Sequence, residues 1–179
     1  DVCSSDLADR WAYSSSGTAA VRTWDLSSTV PTVAQSGSLS QYSIRGTVTT
    51  ADPSVAAGEF CMLYQWVEGY AFQAIAQRSF TLSFWVRSSL TGTYCVAFTN
   101  QGSDRSYVAE YTISAANNWE FKTVTVSASP SAGSWNYFDG YGLRVAFTMS
   151  AGTTYQGTGG SWQSANLLAT SNQVNHGGT

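Results

Sequence analysis

Hydrophobic and polar residues alternate with a period of two along most of this chain. In residues 79–87 (SFTLSFWVR), Phe80, Leu82, Phe84 and Val86 fall on one side, and Thr81, Ser83, Trp85 and Arg87 on the other. In residues 142–149 (GLRVAFTM), Leu143, Val145, Phe147 and Met149 form an apolar side opposite Arg144, Ala146 and Thr148. Such alternation predicts strands with one face on a core and the other towards solvent or a cleft. Further runs rich in aromatic and β-branched residues predict strands over 41–49, 60–67, 93–99, 106–113 and 119–126. Gly, Asn, Asp and Ser fill the gaps, and Leu90-Thr91-Gly92 and Asn100-Gln101-Gly102 read as hairpin connections. Helix signals are nearly lacking. Only residues 70–77 (YAFQAIAQ) have room for two turns, and they suit a loop equally well. Many short strands separated by turn residues predict an all-β fold, a sandwich or barrel.

Past Ser150 the pattern changes. Residues 151–179 are rich in Gly, Thr, Ser, Gln and Asn, with Tyr155 and Trp162 as isolated anchors. They read as a loosely packed irregular segment of the same domain, which otherwise spans 8–150, with no internal repeat. The opening residues 1–7 (DVCSSDL) are what a common sequencing-adapter stretch becomes when read in frame. They are expected to be a non-native leader on a chain from an environmental assembly, which removes functional weight from Cys3. Cys61 and Cys95 each sit in a strand-like run. They read as two small buried residues, and spacing alone does not decide whether they are bridged.

Composition narrows the chemistry. The chain has 179 residues, 43% hydrophobic and 14% aromatic, enough apolar surface for a core without a disulfide or metal staple. Only 11% of residues are charged and the net charge is −3 with no basic cluster, which argues against nucleic acid as a partner. No apolar run approaches the ~18 residues of a membrane span. His176 is the only histidine, which removes His-based triads and most metal sites, and no phosphate-cradling glycine loop is present.

The run Phe80-Thr81-Leu82-Ser83-Phe84-Trp85-Val86-Arg87-Ser88, a turn bearing Gly92, then Tyr94-Cys95-Val96 resembles the jelly-roll carbohydrate-binding modules of the galactose-binding-like type. Gln65 and the strand opened by Trp119 are the counterparts of two further strands. More narrowly, Asp9-Arg10-Trp11, Gln65 with Glu68-Gly69, Asp104-Arg105-Ser106-Tyr107 and Gly142-Leu143-Arg144 resemble a domain of phage and prophage tail-fibre-like proteins. The resemblance covers roughly residues 9–175. It implies an antiparallel β-sandwich of jelly-roll type that lacks the strands this family carries before Asp9-Arg10-Trp11 and after Gln173-Val174-Asn175. It also implies a virion or extracellular setting, with a bacterial surface glycan and other virion or fibre subunits, as in homotrimeric fibres, as partners. Calcium is a structural ion in folds of this type, but no Asp-rich loop marks a site here, and no cofactor is expected.

Carbohydrate binding needs flat aromatic faces for sugar C–H surfaces and planar polar groups for hydroxyls. Trp85, Arg87, Arg105, Tyr107 and Glu110 are the candidates. Trp85 and Arg87 share a non-core face, Arg105 precedes a strand, and neighbouring strands would bring the set onto one concave surface. In the competing assignment, Trp85 packs under the C-terminal segment and Arg87 pairs with Glu110 or Glu68. Trp66, Trp119 and Trp135 read as core or rim. Two other functions stay open. One is a structural virion or fibre subunit without sugar affinity. The other is a small β-sandwich glycoside hydrolase using Glu68 and Glu110, since glycoside hydrolysis needs only two carboxyl groups flanking a bond.

Overall fold

A computed structural model gives the fold and describes residues 10–17 and 20–178. The expected leader at 1–7 lies outside the described residues, as does Asp9. The described residues form ten strands: β1 (Trp11–Ser16), β2 (Val21–Ser27), β3 (Ser43–Thr50), β4 (Phe60–Glu68), β5 (Phe80–Val86), β6 (Gly92–Asn100), β7 (Ser106–Ile113), β8 (Glu120–Val126), β9 (Tyr141–Ala151) and the short β10 (Trp162–Gln163). Among the described residues, two single-turn α-helices, α1 (Val33–Ser36) and α2 (Gly69–Phe72), accompany the strands. The chain is an all-β antiparallel sandwich, as the alternation predicts.

One layer is a six-stranded sheet in the order β1-β4-β9-β6-β7-β10. The opposing layer is divided into two ribbons, β2–β3 and β5–β8, which share no backbone ladder with each other. The core lies between the layers. Tyr94, Val96 and Phe98 of β6, Tyr107, Ala109, Tyr111 and Ile113 of β7 and Leu143 of β9 pack against Phe80, Leu82, Phe84 and Val86 of β5 and Val124 and Val126 of β8. Edge-on contacts between Phe84 and both Tyr111 and Phe147, with centroids 5.0 and 4.9 Å apart, lock the β5 ribbon onto the sheet.

Four features differ from the sequence pattern. Leu90-Thr91-Gly92 is no hairpin: β5 pairs with β8, so this turn carries the chain from one layer to the other. Asn100-Gln101-Gly102 does close the β6–β7 hairpin. Strands β1 and β2 escape the pattern because serine fills the first and charged residues interrupt the second. Of residues 70–77, only the start joins α2, and turns follow.

The fourth concerns the C-terminal segment, which is well packed. Leu167, Leu168 and Ala169 form a second core with Met62, Cys95, Ala97, Val108 and Ala146 on the outer face of the six-stranded sheet. Ser106 anchors the segment, donating to the Ala165 carbonyl at 2.7 Å and accepting from the Leu167 N–H at 3.0 Å. Tyr155 and Trp162 do act as anchors, on Phe60 and on Tyr107. The mixed face of β9 is therefore the more buried one. Arg144, Ala146 and Thr148 are sealed under the segment, whereas Val145, Phe147 and Met149 on the apolar face are only half-buried. Cys61 and Cys95, both buried, are free thiols.

Candidate functional site

The apolar face of β9 stays half-open because the two ribbons of the opposing layer stand apart. Between them lies a cleft of about 410 Å³, within the range of small-molecule sites. Its floor is the inner face of the six-stranded sheet, with Trp11, Leu63, Tyr94, Tyr111, Phe147 and Met149. Arg22, Trp24, Ile44 and Gly46 form one wall. Phe84, Trp85, Val86 and Arg87, with Trp119 just before β8, form the other. His176 closes one side, its ring 6.3 Å from that of Tyr94.

Local rules place these groups. Arg22 and Trp24 sit two apart on β2 and so share a face. Trp24 is opposite Gly46 in the β2–β3 ladder and packs on Tyr13, with centroids 5.3 Å apart. Trp85 is paired with Phe121 across the β5–β8 ribbon, centroids 5.4 Å apart, so it stands on the outer side of the ribbon and borders the cleft by its edge. Arg87 is exposed at the rim, its Nε donating to the Asn117 carbonyl at 2.8 Å.

The charged side chains of the cleft are of one sign, beside the hydroxyls of Ser40, Tyr42, Ser43 and Ser88. Arg22 and Arg87 line it with His176, and among the described residues no Asp or Glu does. Several buried polar atoms here have no hydrogen-bond partner: Nε and Nη2 of Arg22, Nε1 of Trp24, Nε1 of Trp119 and Nδ1 of His176. All but the imidazole nitrogen are obligate donors. Burial, reinforced by the neighbouring Arg22, holds the His176 imidazole below its usual pKa.

The five residues singled out by sequence do not share this surface. Trp85 and Arg87 border the cleft. Tyr107 belongs to the core, packed on Phe98 and Trp162, with its hydroxyl donating to the Thr125 carbonyl at 3.3 Å. Glu110 projects from the opposite face of β7, where it accepts from the Thr170 hydroxyl and from the Asn172 amide. Alternation along a strand sends positions 107 and 110 to opposite faces, so one concave surface holding both does not form. Arg105 lies in the β6–β7 turn and donates to the Asp104 carbonyl at 2.6 Å. Asp104 itself accepts from Asn100 and Ser134, which hold its carboxyl below the ordinary range. The Asp104-Arg105-Ser106-Tyr107 motif thus closes a turn, anchors the C-terminal segment and fills the core.

Glu110 bonds within the C-terminal segment, and Arg87 pairs with a backbone carbonyl instead of Glu110 or Glu68. Glu68 ends β4 and Glu110 lies on β7, two strands further than a neighbour. Glu110 stands level with Cys95, Thr148 and Met62, six residues along β4 from Glu68, so three strand spacings of ~4.8 Å and roughly 20 Å along the strands separate them, beyond the ~5–9.5 Å of carboxyl pairs that flank a glycosidic bond. Among the described residues no group of three or more His, Cys, Asp and Glu side chains gathers as a metal site.

Arg22, Trp24 and Trp11 were missed by sequence reasoning. The available signal was the Arg-Thr-Trp alternation at 22–24, the mirror of Trp-Val-Arg at 85–87. No protein-family model, curated protein or solved structure matches this chain.

Proposed function

We propose that this domain is a non-catalytic module that recognises a surface glycan, within a phage or prophage tail-fibre-like protein. One observation carries the reading: the cleft between the two ribbons has Trp11 in its floor and Trp24, Trp85 and Trp119 in its walls, and is lined by Arg22 and Arg87. Indole faces suit the C–H surfaces of pyranose rings, while guanidinium and indole N–H groups direct hydrogen bonds at ring substituents. The walls are strands and strand ends, so the side chains are held in place before a ligand arrives. The resemblance of residues 80–96 to jelly-roll carbohydrate-binding modules supports the same reading, as does the wide separation of Glu68 and Glu110.

The experiment is a binding screen of the chain against bacterial surface polysaccharides and a glycan array, with Trp24→Ala and Trp85→Ala in parallel. Circular dichroism establishes that each variant is folded. Glycan binding by wild type, strongly reduced by Trp24→Ala and less by Trp85→Ala, is the expected result. A folded wild type that binds no glycan overturns the reading.

A structural fibre subunit is the second reading, and a different surface favours it. Tyr70, Phe138 and Tyr141 are all more than half exposed at the end of the sandwich formed by α2 and the start of β9. Tyr70 meets Phe138 edge-on and Tyr141 stacks on Trp66. Such a contiguous exposed aromatic patch suits packing against another subunit. Light scattering of wild type and Phe138→Ser tests it, a stable oligomer lost in the variant being the outcome that favours subunit packing.

A further inference from the structure

Arg22 is 8% exposed, yet only Nη1 of its guanidinium is used, donating to the Ala20 carbonyl at 3.1 Å. Nε and Nη2, which lie side by side on one edge of the group, have no partner. Elsewhere in the same ribbon that edge is occupied. Arg45 Nε and Nη2 grip the two carboxylate oxygens of Asp25 at 2.9 and 2.5 Å. The unpaired edge of Arg22 has the same two-donor geometry, but both nitrogens are enclosed, while Arg22 as a residue lines the cleft. Gly177 lies against it, where a Cβ would stand 2.8 Å from Nη2.

From this we infer that the cleft takes a carboxylated sugar, a hexuronate or similar acidic residue of a glycan, with its carboxylate received by the Arg22 guanidinium. The inference rests on the glycan-recognition reading and names the class of sugar. Ser40, Tyr42, Ser43 and Ser88 bring hydroxyls that can accept from a sugar hydroxyl, but none of them carries charge. The charged lining groups are of one sign: the guanidinium groups of Arg22 and Arg87, with no carboxylate among the described lining residues. The indole N–H groups of Trp24 and Trp119 add further donors without an acceptor. A carboxylate only accepts, and its two oxygens match the fork of a guanidinium. The chain's net charge of −3 makes general attraction of polyanions a poor substitute for this local recognition.

The probes are polygalacturonate, alginate and hyaluronan, each beside its carboxyl-reduced form, titrated into wild type, Arg22→Gln, Arg22→Lys and Arg45→Gln. Wild type is expected to bind at least one acidic polymer about tenfold or more tightly than its reduced form, the preference weakening with salt. Arg22→Gln abolishes that preference. Arg22→Lys keeps the charge without the fork and loses most of it, so the test survives if the Gln variant does not fold. Arg45→Gln, at a guanidinium that pairs with Asp25 and is not among the lining residues of the cleft, leaves it unchanged. Equal binding of acidic and reduced polymers, or binding to neutral glycans only, overturns the inference and leaves glycan recognition standing. An acidic preference that persists in folded Arg22→Gln and Arg22→Lys also overturns it. If a folded wild type binds nothing here or on the glycan array, both proposals fall.

Discussion

Trp24 lies across Gly46 of the adjacent strand, its six-membered ring carbons 2.9–3.3 Å from where a Cβ on residue 46 would stand. The glycine lets the indole settle flat on the β2–β3 ribbon and fixes one wall of the cleft. Gly46→Ala pushes the ring outward by a few tenths of an ångström, and we expect a loss of about 1 kcal/mol in stability from overpacking. A changed near-ultraviolet dichroism and weaker glycan binding accompany it. Wild-type spectra and urea midpoint in the variant would show that the close approach carries no constraint.

Asn100 is fully buried and ties the β6–β7 turn together. Its amide donates to Asp104 at 2.6 Å and to the Ser134 carbonyl at 3.0 Å, and its carbonyl accepts from the N–H groups of Asp104 and Arg105. Alanine here removes four hydrogen bonds and strands buried partners, costing about 3 kcal/mol. At roughly 2–4 °C per kcal/mol for a chain of this size, the melting temperature falls by about 6–12 °C. A drop under about 2 °C is incompatible with this role.

Leu168 is 1% exposed, inside the second core formed by the C-terminal segment. Leu168→Ala is expected to cost about 3 kcal/mol through lost burial and the cavity left behind. Hydrogen exchange gives the sharper readout: the Leu168 amide, bonded to the Tyr155 carbonyl at 2.8 Å, exchanges with the β-sheet in wild type and earlier in the variant. Exchange of this amide within seconds in wild type contradicts the packed segment.

His176 makes stability depend on pH near neutrality. Because burial and Arg22 hold its folded pKa below the usual value, the unfolded chain takes up a proton below about pH 6.5 that the folded chain refuses. Its contribution is complete above that pH and declines as pH falls through the interval down to the folded value. The carboxyls of Asp25, Asp104 and Glu120 are held low and titrate further into acid, outside this window. Melting curves between pH 7.5 and 5.5 should show a larger fall for wild type than for His176→Asn, and parallel falls would remove His176 as the cause.

Burial pushes the thiols of Cys61 and Cys95 above the ordinary cysteine value. Both are fully enclosed, so a thiol reagent at pH 8 is expected to modify them only as fast as the domain opens. Mass spectrometry of labelled peptides with and without urea checks this. Labelling of Cys95 within minutes in the native state contradicts the packing of the outer face, and labelling of Cys61 contradicts its enclosure beside Tyr13 and Arg22.

What the sequence determined alone is the set of strands whose signal is local. Phe80–Val86, Ser106–Ile113 and the apolar face of Tyr141–Ala151 are legible because alternation depends only on neighbours two apart. That Trp85 and Arg87 stand off the core was legible for the same reason. What only the tertiary structure decided is which faces meet. Residues 151–174 carry too few apolar side chains to look like core, yet Leu167 and Leu168 seal a sheet face whose own strands placed Arg144 and Thr148 there. The cleft arises because β2–β3 and β5–β8 do not join, a gap in a layer that no single strand encodes. Arg22 and Trp24 reach Trp119 across about a hundred residues of chain only through that gap. Periodicity assigns each residue a side of its own strand, while the partner on that side is set by long-range packing, where burial of aromatic surface outweighs local preference.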